Sequence, residues 1–411
     1  MSARVALLER FVEDECIPAE PVFAAEMQEI ETRRGSRWEE IPPVLTRLKA
    51  KARFLGLWNL FMPQGHQGSA NVSMKEYAQM SELMGRSSMA PEACNCSAPD
   101  TGNMEVFANY GSAHHKARWL TPLLEGEIRS AFLMTEPAVA SSDATNIACD
   151  IRNEGGMYVI NGRKWWSSGA MDPRCKVAII MCRHGGAGWD AKGAHGRHSM
   201  VVVPIDTPGV TMIRALKVFG YDDAPHGHAE VELRDVRVPL SSILFGEGRG
   251  FEIAQGRLGP GRVHHCMRAV GMAERALAAH VQRSRERVAF GKSLSDDSLV
   301  RHHVAQSRME IAQSRLLVQD CAAKLEAFGL QGAIQEISMI KVVVPNMACR
   351  VIDRAIQMHG GLGVCQDTFL SEAYAHMRTL RIADGPDEVH TRSVAKYEYR
   401  RSAGMAITSR L

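Results

Sequence analysis

The sequence predicts an α+β fold in three parts: an N-terminal helical domain, a middle antiparallel β-domain and a C-terminal four-helix-bundle-like domain. Three observations predict it. Apolar residues recur at helical spacing over 1–125, short runs rich in Val and Ile with alternating side chains occupy 126–245, and long helical periods fill 246–411. These three ranges are taken as the domains.

In the first part, 41–54 and 73–83 carry mixed apolar and polar residues at helical steps, and Pro and Gly break the pattern at 63–68. In the second, 157–166, 176–183, 199–205 and 228–236 read as strands separated by Gly, Pro and Asp, while the Gly- and His-rich stretch 184–198 reads as an exposed loop. In the third, 251–286, 299–327 and 331–359 read as long helices punctuated by Gly329 and by 360–363. A shorter helix follows Asp387, where Asp387 and Glu388 suit the positive end of a helix. Helices of this length pack as a bundle.

Composition sets bounds on function. The 411 residues are 45% hydrophobic and 23% charged, with a net charge of +3 and no concentrated basic block, which argues against a nucleic-acid or membrane-surface partner. No apolar run of 18 residues occurs, so no membrane span is expected. The acidic N-terminus (Glu9, Glu13, Asp14, Glu15) does not read as a secretory signal. Ten scattered cysteines without zinc spacing read as reduced core thiols. The final Ser409-Arg410-Leu411 is a conservative variant of a peroxisomal address, so the expected location is a peroxisome-type organelle in a eukaryote and the cytoplasm otherwise.

Some motifs lead nowhere. Gly291-Lys292-Ser293 lacks the upstream glycine of a phosphate loop, position 286 being Glu. Gly246–Gly250 is followed by Phe251 where a dinucleotide fingerprint needs its third glycine. The His-His pairs at 114, 264 and 302 place neighbours about 100° apart on a helix, so no metal site is expected.

Four stretches in order resemble the acyl-CoA dehydrogenase family and together span nearly the whole chain: 111–127 (GSAHHKARWLTPLLEGE), 132–143 (FLMTEPAVASSD), 158–169 (YVINGRKWWSSG), and the pair 287–292 (RVAFGK) and 357–363 (QMHGGLG) followed by Asp384-Gly385. A flavin needs ring-edge donors, a flat wall and diphosphate partners. Thr135 and Ser168 supply hydroxyls and Trp166 a flat wall. The resemblance implies that Phe132, Met134, Thr135, Ser142, Trp166 and Ser168 line FAD. It further implies that Arg287, Phe290, Gln357, Gly360 and Gly361 hold the ADP half of a neighbouring subunit's cofactor. Since adjacent strand residues face opposite sides, one of Trp165 and Trp166 is core, and the Trp-x-Ser spacing assigns Trp166 to the flavin. His303 stands where many relatives carry Gln.

The resemblance places the catalytic base at Asp384, where most relatives carry Glu before Gly-Thr; here the segment reads Asp384-Gly385-Pro386-Asp387-Glu388. The alternative base position of some relatives is Gly261, which has no side chain, beside Arg262. Asp-Gly is also simply a turn pair. The implied reaction is α,β-dehydrogenation of an acyl-CoA: Asp384 takes the α-proton, flavin N5 takes the β-hydride, and Arg262, Ser142 and Gly385 border the substrate. Gly259 replaces an Asp of several relatives near the CoA arm. Asp is shorter than Glu by about 1.5 Å, one carbon–carbon bond, which points to a branched, long or hydroxylated acyl group. An electron-transferring flavoprotein or another acceptor, and a homodimer or homotetramer, follow from the resemblance. Competing readings are a flavin oxidase of the same fold, of acyl-CoA or nitroalkane oxidase type, and a non-catalytic flavin-binding protein.

Overall fold

A computed structural model describes residues 2–403; Ser409-Arg410-Leu411 lies outside the described residues. By internal contacts the chain forms two compact units, Met1–Glu20 with Val72–Pro91 and Gly259–Leu411, and Pro21–Asn71 with Glu92–Leu258.

The N-terminal helices are α1 (Ala3–Phe11), α2 (Ile17–Arg34), α3 (Pro43–Phe54), α4 (Met74–Met84) and α5 (Asp100–Tyr110). Ser2 and Ser73 cap α1 and α4 by accepting the backbone N–H of Val5 and Glu76. The predicted helices at 41–54 and 73–83 correspond to α3 and α4.

The second unit contains a seven-stranded sheet: β1 (Arg129–Leu133), β2 (Asp150–Glu154), β3 (Met157–Ser168), β4 (Cys175–His184), β5 (His198–Pro204), β6 (Val210–Leu216) and β7 (His228–Pro239). The order is β1-β4-β2-β3-β7-β6, with β5 on β4. The sheet is mixed rather than wholly antiparallel, since β1 and β2 both pair with β4 in parallel. Leu133, Ile151, Ile160, Ile180, Val201, Val231 and Val236 form its core, all 2% exposed or less. Each such side chain contributes about 1.5–3 kcal/mol by leaving water. The stretch 184–198 joins β4 to β5 and is exposed over most of its length, as expected of a loop. It holds two short helical turns, and both flanking histidines are buried, His184 bonding to Ser199 Oγ at 2.7 Å and stacking on Trp189.

A buried cation ties the sheet to the segment after β1. Lys164 Nζ, on β3 and fully buried, donates to Glu136 Oε1 at 2.8 Å, Met134 O at 3.0 Å and Met181 O at 2.7 Å. The Glu136 carboxylate also accepts the N–H groups of Ala148 and Cys149, each at 2.9 Å.

The C-terminal helices are α6 (Gly250–Glu286), α7 (Ser298–His359), α8 (Leu370–Leu380) and α9 (Asp387–Ser402), with a two-residue hairpin β8 (Val288–Ala289) and β9 (Lys292–Ser293) before α7. Helix α7 is interrupted at Gly329 (φ 67°), matching the two predicted helices on either side. By length and composition 298–363 passes as a membrane-crossing helix. Its break, its Lys324–Glu336 ion pair and its packing on α8 and α9 through buried Ile337, Ile340, Val344 and Ile352 fit a bundle core instead. Asp387 and Glu388 start α9 as expected. Among the described residues no disulfide forms, and nine of the ten cysteines are buried.

Two predictions follow from these buried groups. Lys164→Met leaves a buried carboxylate without its cation and should cost about 3–5 kcal/mol in urea unfolding, with part of the loss recovered in Lys164→Met/Glu136→Gln. Burial holds the His280 and His390 imidazoles down to about 4. The unfolded chain therefore binds protons first, and stability present above pH ~6.5 should be lost as pH falls toward 4, seen as a falling melting temperature.

Candidate active site

Asp384 lies in the turn between α8 and α9. Asp384 (φ 56°) and Gly385 (φ 100°) are both left-handed. A Cβ at 385 would come within 2.8 Å of His390 Nε2, so close approach and backbone conformation both require glycine. Asp is among the few other residues that adopt this conformation at modest cost. The turn is pinned on several sides. Arg262 Nε donates to the Asp384 carbonyl at 2.9 Å and His390 Nε2 to the same oxygen at 3.2 Å. Arg381 Nε and Asn346 Nδ2 hold Asp387 at 2.8 and 2.9 Å. The buried Lys341 ammonium donates to the Leu380 carbonyl at the end of α8.

The Asp384 carboxylate, 22% exposed, faces α6. His265 Nε2 is 3.6 Å from its Oδ2, and Arg268 Nη2 donates to His265 Nδ1 at 3.1 Å. A guanidinium only donates, so Nδ1 is the bare nitrogen and the proton of the neutral ring sits on Nε2, toward the carboxylate. A Cβ at Gly261 would be 4.0 Å from Asp384 Oδ2. The two positions that the resemblance offers for a base thus open onto one point, which at 261 carries no side chain. Burial lowers the Arg262 guanidinium below its ordinary value, while the Asp384 charge opposes the shift. A Cβ at Gly259 would meet Leu330 Cδ1 at 2.2 Å, so a side chain there requires the tip of Leu330 to move.

In the other unit the predicted flavin residues gather on β1, β3 and the segment between β1 and β2. Strand β3 bulges after Lys164, so that Trp165 and Trp166 together oppose one residue of β7. The bulge puts Trp166 in the left-handed region (φ 51°) and turns its indole outward, 38% exposed, while Ser167 behind it is fully buried. Thr135 clamps the bulge: Thr135 Oγ1 donates to the Trp165 carbonyl at 2.6 Å, and Trp165 N–H donates to the Thr135 carbonyl at 3.1 Å. Phe132 and Met134 are half-buried, and Arg257 stacks on the Phe132 ring at 3.7 Å. Ser168 bonds to His228 Nδ1 at 2.8 Å. Ser142 is exposed.

The residues expected at the ADP half are all exposed: Arg287 and Phe290 on the β8–β9 hairpin, and Gln357, Gly360 and Gly361 at the end of α7. Space around both glycines is open, and Gly360 has φ 62°. An outward indole beside two hydroxyls, and an exposed phenyl and guanidinium near open backbone, suit a planar ring system and a diphosphate.

His265, Arg268, His228 and Asp223 escaped sequence reasoning. The His264-His265 pair does split as adjacent helical residues should. His264 is buried edge-on against Tyr77, and His265 points to Asp384. No local signal distinguishes the second role from the first.

Comparisons with known proteins agree with the three-part fold. The sequence matches the family descriptions "Acyl-CoA dehydrogenase, N-terminal domain" over 5–127, "middle domain" over 131–236 and "C-terminal domain" over 248–398. It is 54% identical to "Probable acyl-CoA dehydrogenase FadE2" of Mycobacterium tuberculosis over 93% of this chain and 92% of the relative. It is 51% identical to "Acyl-CoA dehydrogenase family member 11" of Gallus gallus over 95% of this chain but 49% of that protein, so the chain spans about half the length of such animal relatives. A solved Mycobacterium abscessus structure of the acyl-CoA dehydrogenase type superposes with a TM-score of 0.92 at 49% identity, covering 98% of this chain and 99% of the other. With its three domains matched in order and near full-length relatives at about half identity, the chain belongs to the acyl-CoA dehydrogenase family.

Proposed function

We propose that this protein is an FAD-dependent acyl-CoA dehydrogenase in which Asp384 is the base. The observation that supports this most directly is the pinned Asp384 turn, whose carboxylate faces the space left open by Gly261. The domains of the reaction are 1–125, 126–245 and 246–411.

FAD, when bound, accepts the hydride leaving the β-carbon. Phe132, Met134, Thr135, Ser142, Trp166 and Ser168 hold its ring system, and Arg287, Phe290, Gln357, Gly360 and Gly361 its ADP half across a homo-oligomer. Asp384 takes the α-proton. Its own N–H is proposed to donate to the thioester oxygen, where charge develops as the proton leaves. The left-handed Asp384-Gly385 backbone aims that N–H and the carboxylate from one residue, so a single pinned turn orients both. Arg262 and Gly385 border the thioester, with Arg262 fixing the turn through the Asp384 carbonyl. Desolvation by the acyl chain makes the carboxylate a stronger base. The shorter Asp side chain favours a branched, long or hydroxylated acyl-CoA. An electron-transferring flavoprotein fits as acceptor.

Anaerobic bleaching of bound flavin by an acyl-CoA panel tests the base. Asp384→Asn should slow bleaching about 10²–10⁴-fold with FAD content unchanged. Gly261→Glu placed in that background should restore part of the rate; equal bleaching in wild type and Asp384→Asn would assign the base elsewhere. In the same assay, branched or hydroxylated acyl-CoAs should reduce the flavin faster than straight butyryl- to octanoyl-CoA, and the reverse ranking rejects the proposed substrate class.

A further inference from the structure

Ser168 does not end at the flavin wall; it heads a hydrogen-bonded chain running into the sheet. Its Oγ is 2.8 Å from His228 Nδ1, and His228 Nε2 is 2.9 Å from Asp223 Oδ2. His228 is the register partner of Ser168 on β7, so strand pairing sets the first contact. Asp223 sits on the turn before β7 with φ 56°, and its carbonyl accepts the Gly227 N–H at 2.8 Å, closing the loop that presents its side chain. The imidazole is wedged between the rings of Trp166 and His226, with centroids 5.7 and 5.8 Å away, and the His228 and Asp223 side chains are each 16% exposed.

The chain has a direction. A carboxylate only accepts, so the imidazole proton lies on Nε2 and points to Asp223. The neutral ring then offers a bare Nδ1, which draws the Ser168 hydroxyl proton inward. What Ser168 presents outward is lone pairs alone. Flavin N5 accepts a hydrogen bond when oxidised and carries an N–H once reduced, so an acceptor-only hydroxyl is complementary to the reduced ring and has no proton for the oxidised one.

We propose that His228 and Asp223 are positioning residues that fix the Ser168 hydroxyl as a hydrogen-bond acceptor toward the flavin ring edge and so favour the reduced flavin. This rests on the reading of Ser168 as a flavin-lining residue. Removing the chain frees the hydroxyl to donate to oxidised flavin, and the reduction potential falls.

The test is the midpoint potential of the FAD-loaded enzyme, measured by dye equilibration in a double-mutant cycle. His228→Phe should shift the reduced-to-oxidised equilibrium about tenfold toward oxidised, a fall of about 30 mV for a two-electron couple. Asp223→Asn, which weakens the hold on the Nε2 proton, should move it the same way by less. In a Ser168→Ala background neither substitution should have any further effect. An unchanged potential in both single variants, or a shift of equal size in the Ser168→Ala background, overturns the proposal. Where His228→Phe does not fold, Asp223→Asn carries the same cycle. A wild-type protein that takes up no FAD is a different result: it removes the flavin reading itself, and the proposal with it.

Discussion

The surface assigned to the flavin depends on one buried ammonium. Lys164 satisfies a carboxylate and two backbone carbonyls from two separate stretches of chain, and Glu136 in turn satisfies two backbone N–H groups at the far end of the segment between β1 and β2. Lys164 and Glu136 are both buried, so removing the cation would leave the Glu136 carboxylate without its charge partner away from water. The arrangement holds Met134 and Thr135 against β3, and Thr135 then clamps the bulge that turns Trp166 outward. An apolar replacement of similar volume would pack, yet it would leave the bulge without its clamp in place. The left-handed backbone at Trp166 is therefore an imposed conformation, and the surrounding bonds over-determine it.

Much of the architecture was legible from local pattern. Helical periodicity marked α3, α4 and the two arms of α7, and Gly329 marked the break between those arms because little else tolerates its conformation. Strands β1, β2 and β6 escaped. β1 opens with Arg129 and Ser130, polar residues that are buried with Asp100 of α5 accepting from both and Glu92 pairing Arg129. β6 is an edge strand whose exposed positions blur the alternation. The parallel pairing of β1 and β2 with β4 joins segments far apart in sequence, and no short window encodes it.

Site residues divide along the same line. The Asp384-Gly385 turn was legible because an Asp-Gly pair carries its conformation in its residue types. His265 and His228 were not, since each is an ordinary helix or strand residue until register sets it opposite an ionisable group or a hydroxyl. The tautomers of the two rings are opposite in what they present. Arg268 forces the proton of His265 to Nε2 by donating to Nδ1, whereas Asp223 holds the proton of His228 on Nε2 by accepting it. In both cases a neighbour that only donates or only accepts removes a choice that an isolated imidazole would keep.

The proximity of position 261 to the Asp384 carboxylate has an evolutionary reading. On the proposed reading of Asp384 as the base, position 261 on α6 and the turn at 384 address the same few ångströms of space, so a proton acceptor can change its address in the chain while the bound substrate stays where it is. A lineage passing through both acids at once would meet like-charge repulsion, and one passing through neither would lose turnover. The shorter acid at 384 eases the first of these routes by leaving clearance toward α6. Descent within such a family can then conserve the reaction while exchanging the residue that performs it, and an alignment column read alone would record that exchange as a loss of the base.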